Sequence, residues 1–189
     1  MDMKNNGVAI LSTFYMVDPA YSLCNCVEDQ IRMFITHDYK IKLLVDEQLN
    51  VEKLHGVWRH PNVTICKLPP VSRSNEGDLP DNYQEQVNRM YDSLKEVLKD
   101  CKVCIGHDIT LQPAHLIYNL ACRKLADERD DLFWLHWSHS STAPQIRCSK
   151  PEAAEIIKNK FPHSYECYPN DWDRKRVALN HKCELDEEK

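Results

Sequence analysis

GVAILSTF, Gly7 to Phe14, is a short and almost wholly apolar run opened by a glycine. A strand with one wet face alternates apolar and polar residues, so a run without alternation predicts a strand covered on both faces, at the centre of a parallel sheet. The flanking sequence agrees. From Cys24 to Thr36 the apolar residues Val27, Ile31, Phe34 and Ile35 recur at helical spacing, and Lys40 to Val45 (KIKLLV) predicts a second strand. A short helix is expected near Val51 to Leu54, then a third strand over Asn62 to Leu68 (NVTICKL), ended by Pro69 and Pro70.

Ser72 to Asp81 (SRSNEGDLPD) is turn-rich and without apolar periodicity, which predicts an exposed, mobile loop. Val87, Met90, Tyr91, Leu94, Val97 and Leu98 then mark one face of a long amphipathic helix. Lys102 to Gly106 (KVCIG) is the fourth expected strand. A helix with Leu116, Ile117, Leu120, Ala121 and Leu125 on one side follows, and Leu132 to Trp137 (LFWLHW) is the fifth strand. Ser149, Pro151 and Glu152 form a capping-box signature for a short helix through Ala153, Ile156 and Ile157. Ser164 to Tyr168 is the sixth strand, and Asn170 offers a cap to a last helix carrying Trp172, Val177 and Leu179.

Strands interleaved with helices predict an α/β fold: a Rossmann-like open parallel sheet with helices on both faces. Residues 1–183 read as a single such domain and residues 184–189 (ELDEEK) as an acidic tail or the start of a linker. In open parallel sheets, ligands bind beyond the carboxyl ends of the strands where strand order reverses. Those ends are Tyr15 to Cys26, Gly106 to Thr110 and Ser138 to Pro144.

Composition narrows the function. The 189 residues are 42% apolar and 28% charged, enough for one ordinary core that buries about 70% of the unfolded surface. A formal charge of −5 gives no global positive field, so nucleic acid is not an expected partner and any phosphate site must be local. No apolar run approaches the roughly 18 residues of a membrane span, and Met1 to Asn6 lack the features of a secretory signal. With nine scattered cysteines read as reduced thiols, a cytoplasmic location is expected. Cys101 and Cys104 form a C-x-x-C without a matching second pair. Cys104, in Val103-Cys104-Ile105, is read as a small buried apolar residue, and no metal is expected.

Only four glycines are present, and none are spaced as a dinucleotide fingerprint or a P-loop, so no cofactor is expected. Ser22 and Asn25 can still supply donors to a ligand at the start of the first helix. His107 and Asp108, following Gly106 at the end of the fourth strand, are the main catalytic candidates. Imidazole titrates near neutrality, and an adjacent carboxylate can orient it or bind sugar hydroxyls. His139 lies past the fifth strand in a hydroxyl-rich loop with Ser140. Strand alternation puts His136 and Ser138 on one face and Trp137 and His139 on the other, so His136 is expected to be a buried, hydrogen-bonded side chain. His115 falls off the apolar face of its helix and is read as surface, as is the basic run Asp173 to Arg176.

The opening strand, GHDI (Gly106 to Ile109), WLHWSHSST (Trp134 to Thr142) and YPNDWDRKRVA (Tyr168 to Ala178), in that order, resemble a family. The chain is similar, over nearly its whole length, to the amino-terminal domain of nucleotide-sugar glycosyltransferases with the GT-B architecture, particularly the retaining group of sucrose synthases and mannosyltransferases. The resemblance implies that His107 lies by the transferred sugar, that Ser138-His139-Ser140 lines the acceptor side, and that Asn170 follows the last strand. Glu28 is the counterpart of the family's helix-start glutamate, although the usual glycines before it are missing. It also implies a nucleotide-sugar donor, an acceptor, and a second α/β domain or chain for donor contacts, here beyond Lys189. Two other readings remain: a non-catalytic binding or assembly module of the same fold, and a small-molecule hydrolase or epimerase using His107 and Asp108.

Overall fold

A computed structural model describes residues 7–73, 77–110, 112–139, 148–168 and 175. Strands β1 (Gly7–Leu11), β2 (Ile41–Asp46), β3 (Val63–Leu68), β4 (Cys101–His107), β5 (Phe133–Trp137) and β6 (Ser164–Cys167) form one sheet. Its order is β3-β2-β1-β4-β5-β6, and every neighbouring pair is parallel. Helices α1 (Ser22–Thr36), α2 (Tyr83–Val97), α3 (Leu116–Glu128) and α4 (Pro151–Lys158) cover both faces.

Alternation along the buried strands divides the core in two. Val8 and Ile10 of β1, with Ile105 of β4, pack against Leu23, Val27 and Ile31 of α1 and against Trp58. Ala9, Leu11 and Cys104 point the other way, into the layer of Met90 and Leu94 of α2, Leu120 and Leu125 of α3, and Ile157 of α4. Each fully buried leucine or isoleucine contributes about 1.5–3 kcal/mol, so both faces of β1 are held by apolar burial. The outer strands β3 and β6 are only half buried, with Thr64 and Lys67 exposed on β3, which blunts the sheet edge against further pairing. Among the described residues no helix is long and apolar enough to cross a membrane.

Two expectations need correction. The capping box at Ser149 does not form: Lys150 is the residue before α4, and no side chain caps that helix. Ser149 Oγ instead accepts from the Leu79 N–H at 3.0 Å, and Glu152 accepts from the Tyr83 hydroxyl at 2.7 Å. Both groups that would cap locally are drawn into tertiary bonds. Those bonds also pin part of the segment expected to be mobile, where Gly77 and Leu79 are buried. The last helix and its Asn170 cap lie outside the described residues.

Candidate functional site

Strand order reverses between β1 and β4. The chain leaves β1 toward α1 on one face and leaves β4 toward α3 on the other, which opens a crevice at the shared carboxyl edge. Its volume is about 450 Å³, and its walls include Thr13 and Tyr15 after β1, Tyr21 before α1, and His107 and Asp108 after β4.

Backbone geometry aims these residues. Thr13 and Asp108 have φ of 53° and 57°, left-handed conformations that a β-branched residue rarely adopts and that Asp tolerates better. The turn after β4 is therefore made at Asp108. Gly106 is extended strand, and its lack of a side chain serves another purpose: a Cβ there would lie 3.0 Å from His136 Nδ1. Asp108 N donates to Trp137 O at 2.9 Å, and Asp108 Oδ1 accepts from His139 N at 2.8 Å, so the left-handed residue is tied to the end of β5.

His107 is 1% exposed, and both ring nitrogens are engaged. Nε2 lies 3.0 Å from Gln30 Oε1, and Nδ1 lies 2.9 Å from His139 Nε2. A carboxamide oxygen only accepts, so His107 carries its proton on Nε2, and Nδ1 accepts the proton of His139 Nε2. The two rings stack with centroids 5.1 Å apart. Burial, with His139 as a second cause, pushes His107 down to about 3. Burial likewise lowers His139 and raises Asp108, against the attraction between the two. At neutral pH His107 is thus a fixed, uncharged hydrogen-bonding group; it holds no acidic proton for general-acid work.

His107 and Asp108 line the crevice, and His139 sits behind them, bonded to both. Ser22 is exposed in the first turn of α1, and Asn25 Nδ2 donates to Pro19 O at 3.2 Å; neither lines the crevice. Glu28 pairs with Arg32 on the same helix at 2.5 Å. Ser140 and Asn170 lie outside the described residues, as does the basic run apart from Lys175, which is exposed. His136 is buried, as expected, but the expected hydrogen bond is not found among the described residues. Neither of its nitrogens has a partner among the described residues, and its ring stacks on Trp134 and meets Phe161 edge-on. Burial of this ring among aromatics pushes it down to about 3.

His115, read from sequence as surface, lines the crevice, because a 3-10 turn over Pro113–His115 precedes α3 and takes it out of the helical phase. Pro113 was the available signal. Gln30 and Arg73 were also missed. For Gln30 no local signal exists. For Arg73 there was one, since every loop leaving a parallel strand emerges at the same edge, and Arg73 lies in the loop after β3. Among the described residues no three His, Cys, Asp or Glu side chains are grouped to hold a metal ion. Burial raises the thiols of Cys101, to about 11, and Cys104, which keeps both protonated.

No family model matches the sequence, and no curated protein matches it. Among solved structures, the chain is similar to TubZ of Clostridium botulinum phage c-st, with a TM-score of 0.46 and 12% identity, over 95% of this chain and 57% of that one. It is similar to the form of TubZ with a truncated C-terminal tail at 0.46 and 10%, over 95% and 58%. The chain spans somewhat over half the length of these two proteins.

Proposed function

We propose that the chain is the amino-terminal, acceptor-side half of a nucleotide-sugar glycosyltransferase, working with a donor-binding α/β unit in the same or another polypeptide. The observation that supports this reading is the crevice at the strand-order reversal, with His107 and Asp108 in its wall. In a retaining transfer without a protein nucleophile, the protein's work is placement and stabilisation of charge on the leaving phosphate. A neutral, rigidly held His107 suits placement. A sugar hydroxyl gains His107 by displacing Gln30 or His139, and exchanging one neutral hydrogen bond for another changes little in net energy. Asp108 Oδ2, with no bond among the described residues, can accept from a second hydroxyl.

The test is His107→Ala in the protein joined to its donor-binding unit. Turnover from nucleotide sugars is expected to fall by at least about tenfold, and unchanged turnover would remove His107 from the reaction. The coding frame past Lys189 bears on the larger claim: finding neither a continuing second α/β domain nor a partner chain that supplies one would overturn the transferase reading.

One observation favours a second reading, a non-catalytic binding module of this fold: both nitrogens of His107 are already satisfied within the protein. A full-length protein that binds nucleotide sugar but neither transfers nor hydrolyses it would establish that alternative.

A further inference from the structure

The crevice that His107 lines also holds a cation. Arg73 is exposed, and among the described residues it makes no ion pair; its guanidinium lies over the Tyr15 ring, 5.3 Å from the centroid. Two carboxylates also line the crevice; each accepts through one oxygen from a backbone N–H, Asp18 from Ala20 at 2.8 Å and Asp108 from His139 at 2.8 Å, and neither pairs with Arg73 among the described residues. His115 lines the same crevice, and its Nδ1 is buried without a partner among the described residues. The Tyr118 ring meets it edge-on at 6.0 Å, and the Tyr118 hydroxyl is likewise buried and unpartnered among the described residues.

We propose that Arg73 and His115 form a subsite for the phosphoryl group of a phosphate monoester, so that the molecule entering this crevice is a phosphorylated polyol or sugar. A guanidinium held over an aromatic ring keeps its fork of N–H donors available, and that fork binds phosphate oxygens by paired hydrogen bonds. An unpartnered buried polar atom costs about 1–3 kcal/mol, and phosphoryl oxygens drawn to Arg73 supply the acceptors that a ring rotation brings within reach of His115. Burial, with the nearby Arg73 charge, pushes His115 down to about 4, so its ring is uncharged and offers a single N–H. The phosphoryl group of a monoester offers three acceptor oxygens and a charge of about −1.5 to −2, so a cationic subsite favours it over a singly charged carboxylate. The crevice is large enough for a hexose monophosphate beside the group.

The proposal rests on the crevice being a substrate site, as the transferase reading also holds, but not on glycosyl transfer. Its test is calorimetric titration of the whole protein with inorganic phosphate, glucose 6-phosphate, glucose and acetate at low salt, alongside ¹⁵N spectra of the histidine rings. Saturable binding of both phosphates is expected, with the His115 ring signals moving. Arg73→Gln is expected to weaken it at least about tenfold and His115→Phe by a smaller factor, while Arg59→Gln, at an exposed residue that does not line the crevice, leaves it unchanged. Binding insensitive to Arg73→Gln, equal loss in Arg59→Gln, no saturable phosphate binding, or acetate binding as tightly as phosphate would each overturn the subsite. Because Arg73 is exposed, Arg73→Gln should keep the wild-type melting temperature. Phosphate binding without sugar transfer would overturn the transferase and leave the subsite standing. Transfer that tolerates Arg73→Gln with phosphorylated acceptors would do the reverse.

Discussion

Asp108 concentrates two demands in one side chain: it must hold a left-handed backbone, and it must accept from the His139 N–H. Asn meets both, since its short amide favours that conformation and keeps the acceptor, whereas Ala meets neither. Asp108→Asn is therefore expected to cost under about 1 kcal/mol in urea unfolding and Asp108→Ala about 2–3 kcal/mol. Equal losses would mean that the negative charge, and not the turn, is what the fold uses. At this scale His107 and Asp108 were legible because they end a strand, and strand ends follow from apolar runs. Their bonding was not. Gln30 and His107 are 77 positions apart, and nothing near either residue marks the other as its partner.

Elements were read well where periodicity is local and misjudged where neighbouring elements compete for the same groups. The runs at β1, β2 and β4 and the faces of α2 and α3 lie close to where their patterns placed them. Ser149 and Glu152 satisfy every local requirement of a cap and still bond across to Leu79 and Tyr83. Gly106 is the counterpart on the sheet: its bareness makes room for His136 on the next strand, with which it is paired in register. Gly106→Ala is expected to destabilise the protein by about 1–3 kcal/mol through overpacking. In Gly106→Ala/His136→Ala the added methyl has space, so the double mutant should be more stable than the sum of the single losses predicts. Additive losses in thermal or urea unfolding would show that the two positions do not press on each other.

Across the whole molecule, two buried histidines and the largely buried His115 tie stability to pH. His107 and His136 are pushed to about 3 and His115 to about 4, chiefly by burial. An unfolded chain protonates each near its ordinary value of about 6.5, while the folded chain stays unprotonated until those lower values. Stability is therefore complete above about pH 6.5 and is lost as pH falls from there toward 4, by about 1.4 kcal/mol per unit for each histidine. Urea midpoints at pH 7, 6 and 5 should show this fall, with a shallower slope in His136→Leu, which replaces two unpartnered nitrogens by carbon. A flat profile would show that these rings are not held neutral. The residues by themselves determined the α/β class, the parallel sheet and the edge at which a site must open, because apolar spacing and turn chemistry act between near neighbours in the chain. Only the tertiary structure decided that His107 is locked between Gln30 and His139, that His115 and Arg73 share its crevice, and that Gly106 shelters His136. Each of these depends on distant segments meeting at hydrogen-bond or van der Waals range, which no local pattern encodes.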